Sequence, residues 1–207
     1  MTVPAASLFV IAAPSGAGKT SLVHALVRKH PDLCFSISYT TRTRRANETE
    51  GVDYFFVSKD RFEALRRQGE MLESALVFDN LYGTSRSQVE AYLQGGKDVV
   101  LEIDWQGARQ VRESMPDCIT IFIMPPSLEE LERRLKDRRT DSAEIVERRL
   151  RDAVGDMSHW DEFDHVIIND DFDAAVAALD AVVNGRGWPT STDNPALREA
   201  VSAIGRS

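Results

Sequence analysis

Eight consecutive residues, Ala13-Pro14-Ser15-Gly16-Ala17-Gly18-Lys19-Thr20, carry the clearest chemistry in the chain. Small residues let successive backbone N–H groups curl round a phosphate, and Gly16 and Gly18 supply them. Lys19 sets a point charge against the outer phosphates of a triphosphate. Thr20 offers a hydroxyl to Mg2+ at the start of a helix, whose N-terminal dipole also favours anions. The pattern matches the phosphate-binding loop at every fixed position but the first, where Ala13 replaces Gly. The flanks agree. Leu8 to Ala12 is a short apolar run that fits a buried parallel strand. Thr20 to Lys29 has Leu22, Val23, Leu26 and Val27 at helical spacing. Strand, loop and helix in that order imply a bound nucleoside triphosphate. They do not distinguish GTPases, ATPases, kinases and transporters, which share the loop.

A second group of chemically capable residues follows. Ser38-Tyr39-Thr40-Thr41-Arg42-Thr43-Arg44-Arg45 brings hydroxyls and guanidinium groups together after a strand. Then come Gly51-Val52-Asp53-Tyr54-Phe55-Phe56, Glu73, Tyr82-Gly83-Thr84 and Glu102-Ile103-Asp104-Trp105-Gln106-Gly107. Each piece has a plainer reading. Tyr54 and Tyr82 suit half-buried strand aromatics, the arginine run a solvated turn, Glu73 a local ion pair, and Glu102 and Asp104 a strand end. Taken in order, however, the motifs resemble those of the guanylate kinases, and the likeness runs from Leu8 to about Leu179.

That resemblance implies an enzyme that phosphorylates GMP, and dGMP as well, from ATP, with Mg2+. Ala13, Pro14, Ser15, Gly16, Ala17, Gly18, Lys19 and Thr20 would hold ATP. Arg42 and Arg45 resemble the pair that grips the GMP phosphate, with Tyr54 and Tyr82 donating hydroxyls; two guanidinium forks and two phenols suit a phosphate's several acceptor oxygens. Glu73 is similar to the carboxylate that accepts from the ring N–H and exocyclic amine of guanine, an edge adenine lacks. Ser38 and Thr84 resemble the hydroxyls around the base. Glu102 stands where the family usually has Asp, and Asp104 is placed like a carboxylate that orients Mg2+ through water. Arg138 and Arg149 resemble lid arginines that meet the triphosphate, although Arg139 replaces a frequent Gly and leaves the choice between Arg138 and Arg139 open. Asn169 resembles a residue passing the adenine ring. Lys19, Arg45, Arg138 and Arg149 would carry the chemistry, an in-line transfer to an already anionic oxygen that needs no general base. A sugar-phosphate kinase with the same core and a non-catalytic guanylate-kinase-like binding module are the alternatives.

The elements that must position these groups follow from pattern. Asp98 to Ile103, Cys118 to Met124 and His165 to Ile168 read as further buried strands. The helical stretches Gln106 to Met115 and Asp171 to Val183 alternate with them. The alternation predicts an α/β fold, a parallel sheet covered by helices. Residues 36–96 break it with short β-like pieces (Phe35 to Tyr39, Tyr54 to Val57, Met71 to Val77) and helices near Arg61 and Val89, and read as an inserted small α+β domain for the monophosphate. Residues 127–160 read as a helical lid, broken near Arg139-Thr140-Asp141, with Ser127 and Glu130 as a capping box. Arg133, Arg134, Arg148 and Arg151 are expected on its solvated faces. The core is then 1–35, 97–126 and 161–185. Residues 186–207 are expected to be a weakly packed tail with a helical patch from Ala196 to Ile204.

Composition narrows the partners. The net charge is −8, against general affinity for nucleic acid or anionic membrane. Yet 20 of the 25 basic residues are Arg, the residue of bidentate anion binding. No run approaches the roughly 20 apolar residues of a membrane span, and no signal peptide is legible. Cys34 and Cys118 form no metal or disulfide pattern, and the four histidines share no ligand spacing. A reducing cytoplasm is expected. A homo-oligomer stays open.

Overall fold

The computed structural model describes residues 6–77, 79–137 and 143–204. The apolar runs become a five-stranded sheet: β1 (Leu8–Ala12), β2 (Cys34–Phe35), β7 (Val99–Glu102), β8 (Ile119–Met124) and β9 (His165–Ile168), in the order β2-β7-β1-β8-β9. All five residues of β1 are buried, as are the last five of β8. Such continuous burial is what a parallel strand covered on both faces requires. The β2–β7 and β8–β9 pairs are both parallel. The fold is thus the expected α/β arrangement, a central parallel sheet surrounded by helices.

The chain forms two compact units. One comprises the chain through Val10 with Pro31–Ile119; the other comprises Ile11–His30 with the chain from Thr120 onward. The first unit contains a second sheet of β3 (Tyr39–Thr40), β4 (Phe55–Phe56), β5 (Met71–Val77) and β6 (Asn80–Ser85), in the order β4-β3-β6-β5. It also holds α2 (Lys59–Arg67), α3 (Arg86–Gln94) and α4 (Trp105–Ser114). Ser58 and Ser85 start α2 and α3 by accepting from Arg61 N and Gln88 N, so each cap satisfies an amide the first turn leaves open. Phe62, Leu65, Met71 and Leu81 form one small buried cluster in this unit, with Tyr39 and Val57 packed on it. Burying each of these four is worth about 1.5–3 kcal/mol.

Two elements here differ from expectation. The single piece expected from Phe35 to Tyr39 divides, because Cys34–Phe35 pairs with β7 while Tyr39–Thr40 pairs with β4 and β6. The strand β6 was not legible at all. Its sequence, NLYGTS, has Gly, Asn and little β-branching, and it is a strand because β5 and β3 flank it and take its hydrogen bonds.

The second unit holds α1 (Lys19–Lys29), α5 (Leu128–Asp137), α6 (Ala143–Met157), α7 (Phe172–Val183) and α8 (Pro195–Ile204). Helices α5 and α6 pack on each other, and α1 packs on α7. The expected break at Arg139-Thr140-Asp141 lies outside the described residues. Ser127 Oγ accepts from Glu130 N at 3.1 Å, as a cap should. The Glu130 carboxylate does not complete the box. It accepts from Arg133 and Arg134, which hold its pKa down at about 2. The tail is better packed than expected. Val201 and Ile204 are buried, Thr192 Oγ1 donates to Phe163 O at 2.7 Å, and Arg198 lies over the Trp160 ring at 5.1 Å. A regular apolar spacing across ten residues turned a short helical patch into a docked helix. No described helix is long and apolar enough to cross a membrane.

The ends of α1 and α7 are tied by Asp180, whose carboxylate meets Lys29 Nζ at 3.0 Å and His30 Nε2 at 2.7 Å. The bonds from Lys29 and His30 lower its pKa from the ordinary 3.8. A depressed carboxylate pKa contributes stability above the unfolded value and loses it as pH falls through the folded one. Asp180→Asn is therefore expected to lower Tm at pH 6–7, and the gap to wild type should close below about pH 4. Thermal melts at both ends of that range check this.

Candidate active site

The phosphate loop lies in the second unit and is held by local geometry. Gly16 and Gly18 have φ of +94° and +91°, a region side-chain-bearing residues rarely adopt. Space excludes substitution as well. A Cβ on Gly18 would lie 2.5 Å from Asn169 Nδ2, and one on Gly16 would lie 2.9 Å from Leu131 Cδ1 of α5. Gly18 caps α1 in the left-handed conformation with no side-chain bond to the first turn. Gly18 thus offers the first turn of α1 no side-chain acceptor, and the turn carries no acidic residue. Lys19 is half-buried and Thr20 exposed as the first two residues of the helix. Ala13 and Ser15 are half-buried, Pro14 and Ala17 buried, and Ala17 N donates to Pro14 O to close the loop.

Asn169 is buried, and its Nδ2 donates to Ala17 O at 2.7 Å. The residue thus braces the loop, and a contact with a base would fall to its Oδ1 or its second N–H. Arg134 reaches the same segment, donating from Nη2 to Asn169 O at 3.0 Å and from Nε to Glu130 Oε1 at 2.6 Å. Its expected place was a solvated helix face; the i, i+4 spacing to Glu130 was legible, the link to Asn169 was not. Arg133 and Arg151 do pair along their helices, with Glu130, Asp137 and Glu147. Arg149 is half-buried on α6. Arg138 lies outside the described residues.

The second candidate site lies wholly in the first unit. Glu73 is 4 % exposed, and its Oε1 accepts from Thr84 Oγ1 at 2.7 Å across the β5–β6 pair. A bulge between Met71 and Glu73 explains how Met71, Leu72 and Glu73 are all buried, since an extra residue breaks the strand's alternation and re-aims a side chain. The carboxylate then lies against α4. A Cβ on Gly107 would come within 2.7 Å of Glu73 Oε2, so a side chain there would displace the carboxylate. Gln110 fixes the helix to the strand next door, accepting from Ser74 N and donating to Ser74 O, both at 3.0 Å. Neither Gly107 nor Gln110 was singled out from sequence for this. Asp104 Oδ1 accepts from Gly107 N at 2.7 Å and so caps α4. A role toward a metal would fall to its other oxygen.

The arginine and tyrosine side chains form a second group in the same unit. Arg42 Nε donates to Tyr82 Oη at 3.2 Å, and its Nη1 and Nη2 make a fork to Glu48 at 3.0 and 2.6 Å. Glu48 Oε2 also accepts from Arg45 N at 2.8 Å, and these bonds, that from Arg42 foremost, lower its pKa. Arg45 itself is exposed, with its Nη1 3.9 Å from Glu48. The Arg42 guanidinium also lies 5.4 Å from the Tyr54 ring centre, and Tyr54 and Tyr82 meet edge to face at 5.9 Å. Burial, then the charge of Glu102, pushes the Tyr54 phenol up to about 12, so it stays a hydrogen-bond donor at neutral pH. Ser38 and Glu102 are half-buried in the same unit. The structure thus brings together Glu73 with Thr84, and Arg42 with Tyr82 and Tyr54. Glu48 is the member that sequence reasoning missed, because a carboxylate six residues from Arg42 in a turn has no periodic signature.

Comparison with known proteins points to one family. A family model described as guanylate kinase matches residues 5–186. The guanylate kinase of Alkalilimnicola ehrlichii is 53 % identical over 94 % of this chain and 96 % of that protein. The guanylate kinase of Methylococcus capsulatus is 49 % identical over 95 % and 97 %. The crystal structure of guanylate kinase from Anaplasma phagocytophilum superposes with a TM-score of 0.76 at 32 % identity, covering 96 % of this chain and 95 % of that one. A match this long, joined to a glycine loop opening α1 and a buried carboxylate seated over a glycine, leaves one assignment: the chain belongs to the guanylate kinase family.

Proposed function

We propose that this chain is an ATP:GMP phosphotransferase that forms GDP and ADP. The observation that carries the reading is Glu73, a buried carboxylate that takes one hydroxyl from Thr84 and has its other oxygen over Gly107. A fixed acceptor pair of that kind suits the N1–H and exocyclic amine of guanine and leaves buried groups unpaired against adenine. Arg42, Arg45, Tyr54 and Tyr82 would hold the phosphate of GMP or dGMP, with Ser38 and Glu102 at the nucleoside.

The loop from Ala13 to Thr20 would hold ATP, with Asn169 at the adenine. Magnesium typically uses one or two protein oxygens and the substrate's phosphates; the Thr20 hydroxyl suits that role, with Asp104 acting through water. The ion would neutralise charge on the outer phosphates. Lys19, Arg45, Arg138 and Arg149 would spread the charge that develops as the γ-phosphoryl group passes in line to the GMP phosphate oxygen. That oxygen is already anionic, so no residue need remove a proton. The same reading takes 36–96 as the inserted acceptor domain and 127–160 as a lid that excludes water from the triphosphate. It places the protein in the cytoplasm with nucleotides as its partners, and neither a membrane nor a nucleic acid enters it.

The sugar-phosphate kinase and the binding module are not favoured, given the family match and the retention of Lys19. A coupled assay for ADP and the diphosphate product across GMP, dGMP, AMP, dTMP and ribose bisphosphate tests the proposal. GMP should be preferred over AMP by at least about 10³-fold in kcat/KM. Equal use of AMP, or no GDP formed with ATP and magnesium, would refute it.

A further inference from the structure

We infer that Glu48 is the positioning residue of the phosphate clamp, fixing Arg42 as a rigid arm that in turn orients the Tyr82 phenol, while Arg45 is left as the mobile arm. The inference rests on the proposed phosphorylation of GMP and names a residue that acts through others.

Hydrogen-bond accounting leads to it. A guanidinium has five N–H groups. Arg42 spends one on Tyr82 Oη, one on Thr43 O and two on the carboxylate of Glu48. Four of the five are thus held before any ligand arrives. The Arg42 and Glu48 side chains are 16 % and 10 % exposed, whereas Arg45 is 66 % exposed and touches Glu48 only at 3.9 Å. Two arginines three residues apart therefore stand in opposite states, one locked and one loose.

Glu48 is not a side chain swinging in the place of a ligand. Arg45 N donates to its Oε2 and its own N donates to Arg45 O, so the turn from 45 to 48 holds the carboxylate in place. Its effect passes through Arg42 to the phenol. Because Arg42 Nε donates to Tyr82 Oη, the phenol's proton must be given to something else, and an anion beside the clamp is a suitable acceptor. Preorganised donors of this sort cost no reordering when the ligand binds.

Glu48→Gln keeps the shape and removes the charge and the fork. It should raise KM for GMP about tenfold or more. It should leave kcat within about threefold and KM for ATP unchanged, since it acts on binding alone. Guanosine, which has no phosphate, reads the base site by itself, and its inhibition constant against GMP should not move. Arg42→Lys keeps the charge but not the fork. It should cause the same GMP-specific loss, and the double variant should lose no more than either single one. The Arg42→Lys variant and its guanosine control carry the test alone if Glu48→Gln does not fold. Equal weakening of GMP and guanosine would reduce Glu48 to a structural residue and overturn the inference. So would additive losses, an unchanged KM, or tighter GMP binding, the last of which would make Glu48 a competitor of the phosphate. Wild-type enzyme that forms no GDP would instead sink the proposed function, so the two failures are distinct.

Discussion

Lys19→Ala should lower kcat by about 10³-fold while circular dichroism and Tm stay close to wild type. The fold should survive because α1 is anchored through Leu22, Val23 and Leu26, all buried, whereas Lys19 is half-buried at the helix start. Activity should not survive because phosphoryl transfer relies on positioned charge rather than on a covalent relay. The loop amides and the dipole of α1 would still bind the triphosphate, so KM for ATP should rise less than kcat falls. Arginine at this position should not restore the rate, since a planar fork cannot stand in for a compact ammonium close to the phosphates. A rate within tenfold of wild type, in a variant with native circular dichroism, would remove the loop from the catalytic account.

The second large effect is expected at Glu73. Glu73→Gln retains an oxygen for the Thr84 hydroxyl, so the β5–β6 pair and the fold should be preserved. What changes is the other half of the side chain. An amide N–H₂ replaces an acceptor and meets guanine's donors with a donor of its own. Two charge-assisted hydrogen bonds at about 1.5–3 kcal/mol each correspond to a loss of about 10²- to 10⁴-fold in kcat/KM for GMP. Inosine monophosphate lacks the exocyclic amine and should lose less, so the ratio of GMP to IMP use should collapse. KM for ATP should not change. Steady-state kinetics with both monophosphates decide the matter, and an unaltered GMP to IMP ratio would dissociate Glu73 from the base.

The features legible from local pattern share a physical cause. The strand Leu8–Ala12, the glycine loop and the helix after it are each determined within a few residues, by apolar continuity, by the need for small side chains, and by a 3.6-residue spacing. The strands at Val99–Glu102, Ile119–Met124 and His165–Ile168 were visible for the same reason, being apolar runs buried on both faces. Ser127 was visible as a cap because a cap acts over three residues. The kinds of residue that form the second site, Arg42, Tyr54, Glu73, Tyr82 and Thr84, could also be named in advance, but only through a resemblance and not through any periodicity.

What the tertiary structure decided were the partnerships. Whether Glu73 accepts a hydrogen bond from Thr84, 11 residues away, depends on the register of β5 on β6 and on one bulge, and neither is encoded in a window of neighbouring residues. The place of Gly107 under that carboxylate depends on how α4 packs on β5. Strand β6 itself exists through its neighbours' hydrogen bonds rather than its own propensity. The fork from Arg42 to Glu48 depends on the path of a turn, and Asn169 reaches Ala17 across 152 residues. By itself the sequence determined which groups could do the chemistry, because side-chain type is written residue by residue. Folding determined which of them are held and by what, because a hydrogen bond is set by distance and angle, and those exist only once distant segments have packed.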